Sequence, residues 1–221
     1  MTESEVAQAP GNQLSLSMRV PIRTVDGRVC RPVILSVSAP ALDTPAQPEW
    51  KHYVKNGKLD TAAYRTSFDT LAGRIKQCAA MPANKEAQVV LSGFGLANFL
   101  AGLSRSDKSA AIKIGAEVMT QLIRDLRKGG VDVAYTDYSG ASPPWPAVNA
   151  ALGTDGIKCL GSIPGNWIKD QQIIVNAWDP HALVGNGCAQ DSSLDGYIGS
   201  NSLVHETHAL ACMLRANGFP P

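Results

Sequence analysis

Short apolar segments with the spacing of β-strands alternate with amphipathic helical segments along most of this chain. The predicted strands are 14–22, 31–42, 88–96, 131–138, 157–164 and 171–178. The predicted helices are 61–81, 106–130, a short one with Pro146 at its first position, and 200–218. Alternation of this kind predicts an α/β fold with a mixed or mostly parallel sheet.

Two further segments carry local signals. Asp60 is a candidate N-cap, and the helix after it carries one apolar stripe at helical spacing, Tyr64, Phe68, Leu71 and Ile75. Segment 44–58 contains two prolines and an Asn-Gly turn signal, so we predict a loop there. Since neither a repeat nor a linker is visible, we predict one domain over 14–221 after a disordered tail over 1–13.

Composition restricts the class of protein. A formal net charge of +1 provides no field for binding nucleic acid or an anionic membrane. The five cysteines are scattered and odd in number, which favours a reducing compartment. No apolar run approaches the ~20 residues of a membrane span. The first 13 residues lack the apolar core of a signal peptide. We therefore predict a cytoplasmic monomer, with export by a route that needs no cleaved signal as the alternative.

Two predicted strands end in glycine-rich segments, where α/β proteins bind ligands. The first is Ser92-Gly93-Phe94-Gly95-Leu96, whose backbone amides are able to approach an anion, with 95–103 as a candidate following helix. A tight turn explains the same glycines. The second follows Asn176 and contains Asp179, Gly185, Asn186, Gly187, Gln190, Asp191 and Asp195. Three interpretations fit this segment. In the first, its backbone amides bind a diphosphate and its carboxylates act at an electrophilic carbon. In the others it is a solvated acidic loop, or a cation site, although its spacing is not that of a calcium-binding loop.

Other reactive residues give weaker signals. His205 and His208 are three residues apart, whereas the zinc-binding HExxH motif places its histidines four apart. No serine or cysteine lies in a GxSxG pattern, so covalent hydrolysis has no support. Cys188 is explained by packing as well as by reactivity. We predict neither a resident metal nor a cofactor.

At these motifs the chain resembles the macrodomain superfamily, whose members bind or hydrolyse ADP-ribose. The segment IIVNAWDP resembles the strand of that family that ends in V-N-A-A-N, which implies that Asn176 contacts the distal ribose. The segment GCAQD resembles the G-C-V-Q-E-E loop of the poly(ADP-ribose) glycohydrolase branch, which implies a catalytic role for Asp191. The segment LDGYIG is similar to G-V-D-G-A-I of other macrodomains, which implies that role for Asp195 instead.

The upstream motifs are similar to the family's elements in a different order. VILSVSAPAL, AYRTSFDTLAGRI and QVVLSGFGLANF resemble elements that usually follow V-N-A-A-N, but here they precede it. The resemblance therefore implies a rearranged three-layer α/β/α macrodomain-like sandwich over roughly 30–218. Gly161-Ser162-Ile163 stands where G-D-I-T is usual, so adenine recognition involves Ser162 and Ile163 or moves to Tyr135, Asp137 or Tyr138.

The resemblance implies an ADP-ribosylhydrolase similar to bacterial effector macrodomains. We expect the diphosphate between 93–96 and 185–187, and Asp191 or Asp195, with Asp179 nearby, at the anomeric carbon of the distal ribose. Tyr135 and Phe94 are candidates for stacking on the ligand or for the core. The implied partner is ADP-ribose or an ADP-ribosylated protein such as ubiquitin. The alternatives are a non-catalytic reader of ADP-ribose and a metal-dependent phosphoesterase that uses the same aspartates.

Overall fold

The computed structural model describes residues 15–47, 49–137, 142–161, 166–178, 194, 197 and 198. The strands are β1 (Ser15–Arg19), β2 (Ile22–Arg23), β3 (Val29–Cys30), β4 (Val33–Ser38), β5 (Val54–Lys55), β6 (Lys58–Leu59), β7 (Gln88–Leu91), β8 (Val133–Tyr135), β9 (Lys158–Cys159) and β10 (Gln172–Trp178). The helices are α1 (Trp50–Tyr53), α2 (Thr61–Ala79), α3 (Arg105–Lys128) and α4 (Trp145–Leu152). Single 3-10 turns occupy Pro82–Asn84 and Gly153–Asp155.

Within the described residues, six strands form one mixed sheet in the order β1-β4-β10-β7-β8-β9. Strand β1 pairs antiparallel with β4, and the other neighbours pair in parallel. The chain is therefore α/β with a mixed central sheet, as the alternation of segments predicts. The parallel strands all end on the same side of the sheet, which we call the carboxyl edge.

The two faces of the sheet have different neighbours. The larger core lies on one face, where Leu35, Leu91 and Val175 of the sheet pack with residues of α2, α3 and α4. Helices α2 and α3 also pack against each other. The smaller core lies on the opposite face, and its members include Ile34, Val90, Ile174, Trp167, Ile168, Tyr197 and Ile198.

The two long helices begin close to where the sequence predicts. The Asp60 side chain accepts a hydrogen bond from the backbone N–H of Ala63 at 3.0 Å, which confirms Asp60 as the N-cap of α2. Helix α3 begins after Ser104, whose hydroxyl accepts from the backbone N–H of Asp107. Its basic last turn precedes Gly129, as a helix C-terminus prefers.

The strand predicted over 14–22 is present but shorter, as β1. The strand ends at Arg19, because Pro21 has no N–H to donate to the ladder. Ile22 then opens a separate two-stranded hairpin formed by β2 and β3. This hairpin packs against the smaller core through Ile22 and Cys30.

The prediction of a plain loop over 44–58 is wrong. Helix α1 and the β5–β6 hairpin occupy most of its second half. Asn56 and Gly57 both have positive φ, at 51° and 72°, as the two central residues of a type I′ hairpin turn require. The Asn-Gly pair therefore forms the turn of a hairpin. The sequence does not predict this hairpin, because the prolines before it favour a loop.

Segment 95–103, a candidate helix in the sequence, forms a series of turns. Phe94 and Gly95 adopt positive φ, at 51° and 69°, which is left-handed backbone that cannot begin an α-helix. The predicted tail over 1–13 and the predicted helix over 200–218 lie outside the described residues. Within the described ranges, no helix is both long and apolar enough to cross a membrane.

Candidate functional site

A row of four polar residues crosses the sheet next to the carboxyl edge. Asn176 of β10 pairs with Ser36 of β4. Ser92 directly follows β7 and Thr136 directly follows β8. Asn176 and Ser92 each lie two residues beyond the paired Ile174 and Val90. Ser92 and Thr136 each lie one residue beyond the paired Leu91 and Tyr135. We call Ser36, Asn176, Ser92 and Thr136 the polar row.

The polar row follows an apolar row on the same face. Side chains two residues apart in a strand share a face, so the polar row continues four apolar residues, Ile34, Ile174, Val90 and Ala134. All four of those apolar residues are buried. The face that carries the smaller core thus changes from apolar groups to hydrogen-bonding groups at the carboxyl edge.

Ser36, Asn176 and Thr136 of the polar row are buried, and Ser92 is half-buried. Asn176 is 0% exposed and Ser36 is 1% exposed. The Thr136 hydroxyl donates to the carbonyl of Gly161 at 2.7 Å. The Ser92 hydroxyl oxygen is shielded from solvent and has no hydrogen-bond partner among the described residues. A shielded hydroxyl without a partner costs free energy, which is unusual in a core built only for stability.

The segment after β7, residues 92–103, forms a compact turn that we call the β7 loop. The backbone N–H groups of Gly93, Phe94 and Gly95 donate to no residue that the structure describes, whereas that of Leu96 donates to the carbonyl of Gly93. Successive N–H groups around left-handed residues form a concave anion site in many proteins. The β7 loop therefore presents donors at the carboxyl edge without the following helix that the sequence suggests.

Apolar contacts hold the β7 loop in place. Phe94 is 2% exposed and Leu96 is 1% exposed, so both side chains belong to the core. Leu96 packs onto α3 at Gly115, where a Cβ would lie 2.5 Å from a methyl carbon of the leucine. The Phe94 side chain therefore packs in the larger core.

An aromatic pair packs in the core near the carboxyl edge, with one ring from the end of β8 and the other from the start of α4. Tyr135 is 4% exposed, and its ring stacks on that of Trp145 with centroids 4.3 Å apart. Burial raises the pKa of Tyr135, so its phenol is neutral at physiological pH. The Tyr135 ring therefore packs in the larger core. Asp137 follows two residues later and accepts a hydrogen bond from the backbone N–H of Ser142 at 2.9 Å.

Several candidate site residues of the sequence lie outside the described residues. They are the three candidate catalytic aspartates and six candidate binding residues, namely Asp179, Asp191, Asp195, Ser162, Ile163, Gly185, Asn186, Gly187 and Gln190. Tyr138 and Cys188 lie outside as well. Among the candidates that the structure describes, Asn176 lies near the end of β10, and Ser92 directly follows the neighbouring strand β7. Gly93, Phe94, Gly95 and Leu96 directly follow Ser92.

Ser36 and Thr136 are members of the polar row that the sequence does not single out. Both stand two residues after an apolar residue of the same face, in segments that otherwise read as apolar strands. Both could be recognised in the sequence as polar residues at strand positions where an apolar residue is expected. It becomes specific only when the strand order shows that four such positions are neighbours.

Other concave surfaces lie away from the polar row. Cavities of about 450, 520 and 690 Å³ lie at the ends of α2 and α3, near the starts of β7 and β10, and between α3 and α4. Within the described part of the chain, no three His, Cys, Asp or Glu side chains are grouped to hold a metal ion. Comparison of the chain with protein-family models and with curated protein sequences gives no match.

Proposed function

We propose that this protein binds ADP-ribose at the carboxyl edge and hydrolyses its bond to modified proteins. The observation that carries the proposal is the polar row, because its four residues lie at or just beyond the carboxyl ends of neighbouring parallel strands. Ligands of open α/β sheets bind beyond the carboxyl ends of the strands. The resemblance of the motifs around Asn176 to the macrodomain superfamily supports the choice of ligand.

Each part of the site has the chemistry of one part of ADP-ribose. An asparagine amide both donates and accepts hydrogen bonds, which suits the two hydroxyl groups of a ribose. The N–H groups of Gly93, Phe94 and Gly95 suit the oxygens of a diphosphate. Ser92 directly precedes these N–H groups along the chain, and its strand β7 pairs with β10, the strand of Asn176.

The fold is part of the same proposal. A mixed sheet with helices on one face is compatible with a three-layer α/β/α sandwich of the macrodomain kind. In that arrangement a second helical layer covers the face that carries the polar row. We propose the order of elements found here, with the Asn176 strand last among the described strands and in the interior of the sheet, as a rearranged variant of that fold.

The proposed reaction is hydrolysis at the anomeric carbon of the distal ribose. A water oxygen forms a bond to that carbon while the bond to the acceptor oxygen or nitrogen breaks, and the acceptor leaves with a proton. We propose that Asp191 or Asp195 orients the water or supplies that proton, with Asp179 nearby. Positive charge develops on the ribose in the transition state, and a carboxylate stabilises it electrostatically.

One titration and one release assay test the function. We expect calorimetry to show binding of free ADP-ribose, and we expect release of ADP-ribose from an ADP-ribosylated protein, with modified ubiquitin as the first substrate. Binding without release identifies a reader. Release that stops in a chelator supports a metal-dependent phosphoesterase. Absence of both binding and release contradicts the proposal.

Single substitutions locate the activity. We expect Asn176→Ala to weaken ADP-ribose binding about tenfold or more, since one hydrogen-bonding side chain is lost at a buried site. Thr120→Val is the matched control, because this buried hydroxyl of α3 donates to the carbonyl of Ala116 within its own helix. Of Asp191→Asn and Asp195→Asn, we expect one to reduce release by a factor of about 10²–10⁴ while binding persists.

A further inference from the structure

Glu49 is a buried carboxylate that the proposed reaction does not use. It is 1% exposed, although glutamate is among the residues least often found inside proteins. It stands directly before α1, and its Oε2 accepts a hydrogen bond from the backbone N–H of Ala41 at 2.9 Å. A hydrogen bond from an amide to an ionised carboxylate is roughly twice as strong as one between neutral groups.

Neutral hydroxyl groups of α1 and α2 lie near this carboxylate. Tyr53 and Tyr64 are buried, with ring centroids 6.1 Å apart, and the Ser67 hydroxyl is buried beside Tyr53. Burial raises the pKa of Tyr53 to about 12, and the charge of Glu49 contributes to this rise. Burial also raises the pKa of Tyr64, again with a contribution from Glu49. Glu49 therefore lies within the α1–α2 part of the core.

Ala41 belongs to the segment after β4, residues 39–47, which we call the β4 loop. Its next residue, Leu42, donates its N–H to the carbonyl of Phe99 at 2.6 Å and accepts from the N–H of Gly102 at 3.0 Å. Phe99 and Gly102 both belong to the β7 loop. Two loops at the carboxyl edge are thus joined by backbone hydrogen bonds. The bond from the Ala41 N–H to Glu49 connects the residue next to this contact with the core.

We propose that Glu49 is a positioning residue that holds the β4 and β7 loops together and so fixes the backbone donors of Gly93, Phe94 and Gly95. The carboxylate bonds the β4 loop and takes no part in the reaction. Its effect on ligand binding rests on the proposed function. Its effect on the two loops does not, which allows the two to be tested separately.

Hydrogen exchange tests the coupling of the loops without any ligand. In Glu49→Ala we expect the amides of Ala41, Leu42 and Gly102 to lose about tenfold or more of their protection, because the side-chain acceptor of the Ala41 N–H is removed. Glu49→Gln retains an acceptor oxygen at the same position, so we expect a smaller loss at the same amides. Amides in the middle of α3 serve as internal reference.

If protection at the three amides changes no more than protection in α3, the coupling of the loops by Glu49 is contradicted. If Glu49→Ala does not fold, the comparison of Glu49→Gln with the unaltered protein decides. Ile75→Val is the matched control, since it removes one carbon from a fully buried side chain of α2 and leaves the hydrogen bonds of both loops in place. We expect it to leave the three amides unchanged relative to α3.

Titration with ADP-ribose tests the positioning. We expect Glu49→Ala to raise the Kd about tenfold, Glu49→Gln to raise it less, and Ile75→Val to leave it unchanged. An unchanged Kd in Glu49→Ala together with lost protection overturns the positioning role. If the unaltered protein does not bind ADP-ribose, the proposed function fails, and hydrogen exchange alone decides whether Glu49 couples the loops.

Discussion

At the scale of single residues, Gly102 shows how one absent side chain sets the contact between two loops. A Cβ at this position would lie 2.8 Å from the carbonyl oxygen of Asp43 and 2.9 Å from that of Leu42. Both obstacles are backbone atoms, which cannot turn away as a side chain does. The glycine is therefore required for the close approach of the β4 and β7 loops.

We expect Gly102→Ala to reduce the free energy of unfolding by about 1–3 kcal/mol, because the loops must separate to admit the methyl group. Gly73→Ala is the matched control. Gly73 is an exposed residue inside α2, and a Cβ added there meets no atom within 4 Å, so alanine should stabilise the protein by about 0.5–1 kcal/mol. Urea unfolding of both variants measures the difference, and equal effects would contradict the contact.

Asp26 at the tip of the β2–β3 hairpin provides a prediction about pH. A hydrogen bond from the Thr24 hydroxyl, and a second from Arg28 at 2.6 Å, lower the pKa of Asp26 from 3.8 to about 2. A lowered pKa in the folded state stabilises the fold above pH 3.8, and this contribution is lost as the pH falls from 3.8 to about 2.

We expect NMR titration of the Asp26 carboxyl group to give a midpoint near 2, and Thr24→Val to move it towards 3.8, because the largest cause of the shift is removed. Thr70→Val, which removes a hydroxyl bonded to the carbonyl of Thr66 in α2, should leave the midpoint unchanged. A midpoint that does not respond to Thr24→Val would show that the hydroxyl has no such role.

Residues differ in how far the sequence reveals their part in the site. Asn176 and Ser92 are visible because each follows a strongly apolar run. Ser36 and Thr136 are not, because their relation to Asn176 depends on strand order and register, which bring together segments distant in the chain. Glu49 is hidden in a segment that reads as a loop.

At the scale of elements, the N-terminal cap of α3 stabilises the start of that helix and also bonds to a neighbouring hairpin. The Ser104 hydroxyl accepts from the backbone N–H of Asp107 at 3.2 Å and donates to its carboxylate at 2.7 Å. The other oxygen of Asp107 accepts from the backbone N–H of Leu59 in β6 at 3.3 Å. The cap of α3 therefore also holds the β5–β6 hairpin.

We expect Ser104→Ala to reduce the free energy of unfolding by about 1 kcal/mol, as loss of an N-cap side chain usually does. Ser109→Ala is the matched control. That hydroxyl bonds the carbonyl of Arg105 within α3, so its loss should change stability by less than about 0.5 kcal/mol. Thermal or urea unfolding measures both, and an equal loss in the two variants would contradict the capping role.

Elements whose apolar residues repeat regularly over many turns could be predicted from the sequence. Elements whose structure depends on contacts with distant segments could not. Helices α2 and α3 repeat their apolar residues over many turns, so their existence follows from the sequence. Segment 95–103 has helical composition, yet the backbone turns at Phe94 and Gly95 and then bonds to the β4 loop. Those contacts compete with the helix, and they outweigh its weak local preference.

At the scale of the whole molecule, burial of the polar row predicts how a ligand enters. Asn176 and the Ser92 hydroxyl are shielded from solvent, so we expect ADP-ribose to bind these groups only after a conformational change that exposes them. We expect stopped-flow binding of ADP-ribose to show an observed rate that reaches a plateau as ligand concentration rises, since the opening step limits binding. A rate that rises linearly to diffusion-limited values would contradict an opening step.

The central claim is that the polar row and the β7 loop together form the ADP-ribose site. A crystal structure of the protein with ADP-ribose tests it most directly. We predict a ribose oxygen within about 3 Å of the Asn176 side chain, and diphosphate oxygens at the same distance from the N–H groups of Gly93, Phe94 and Gly95. ADP-ribose bound elsewhere, for example in the cavity between α3 and α4, would contradict the claim.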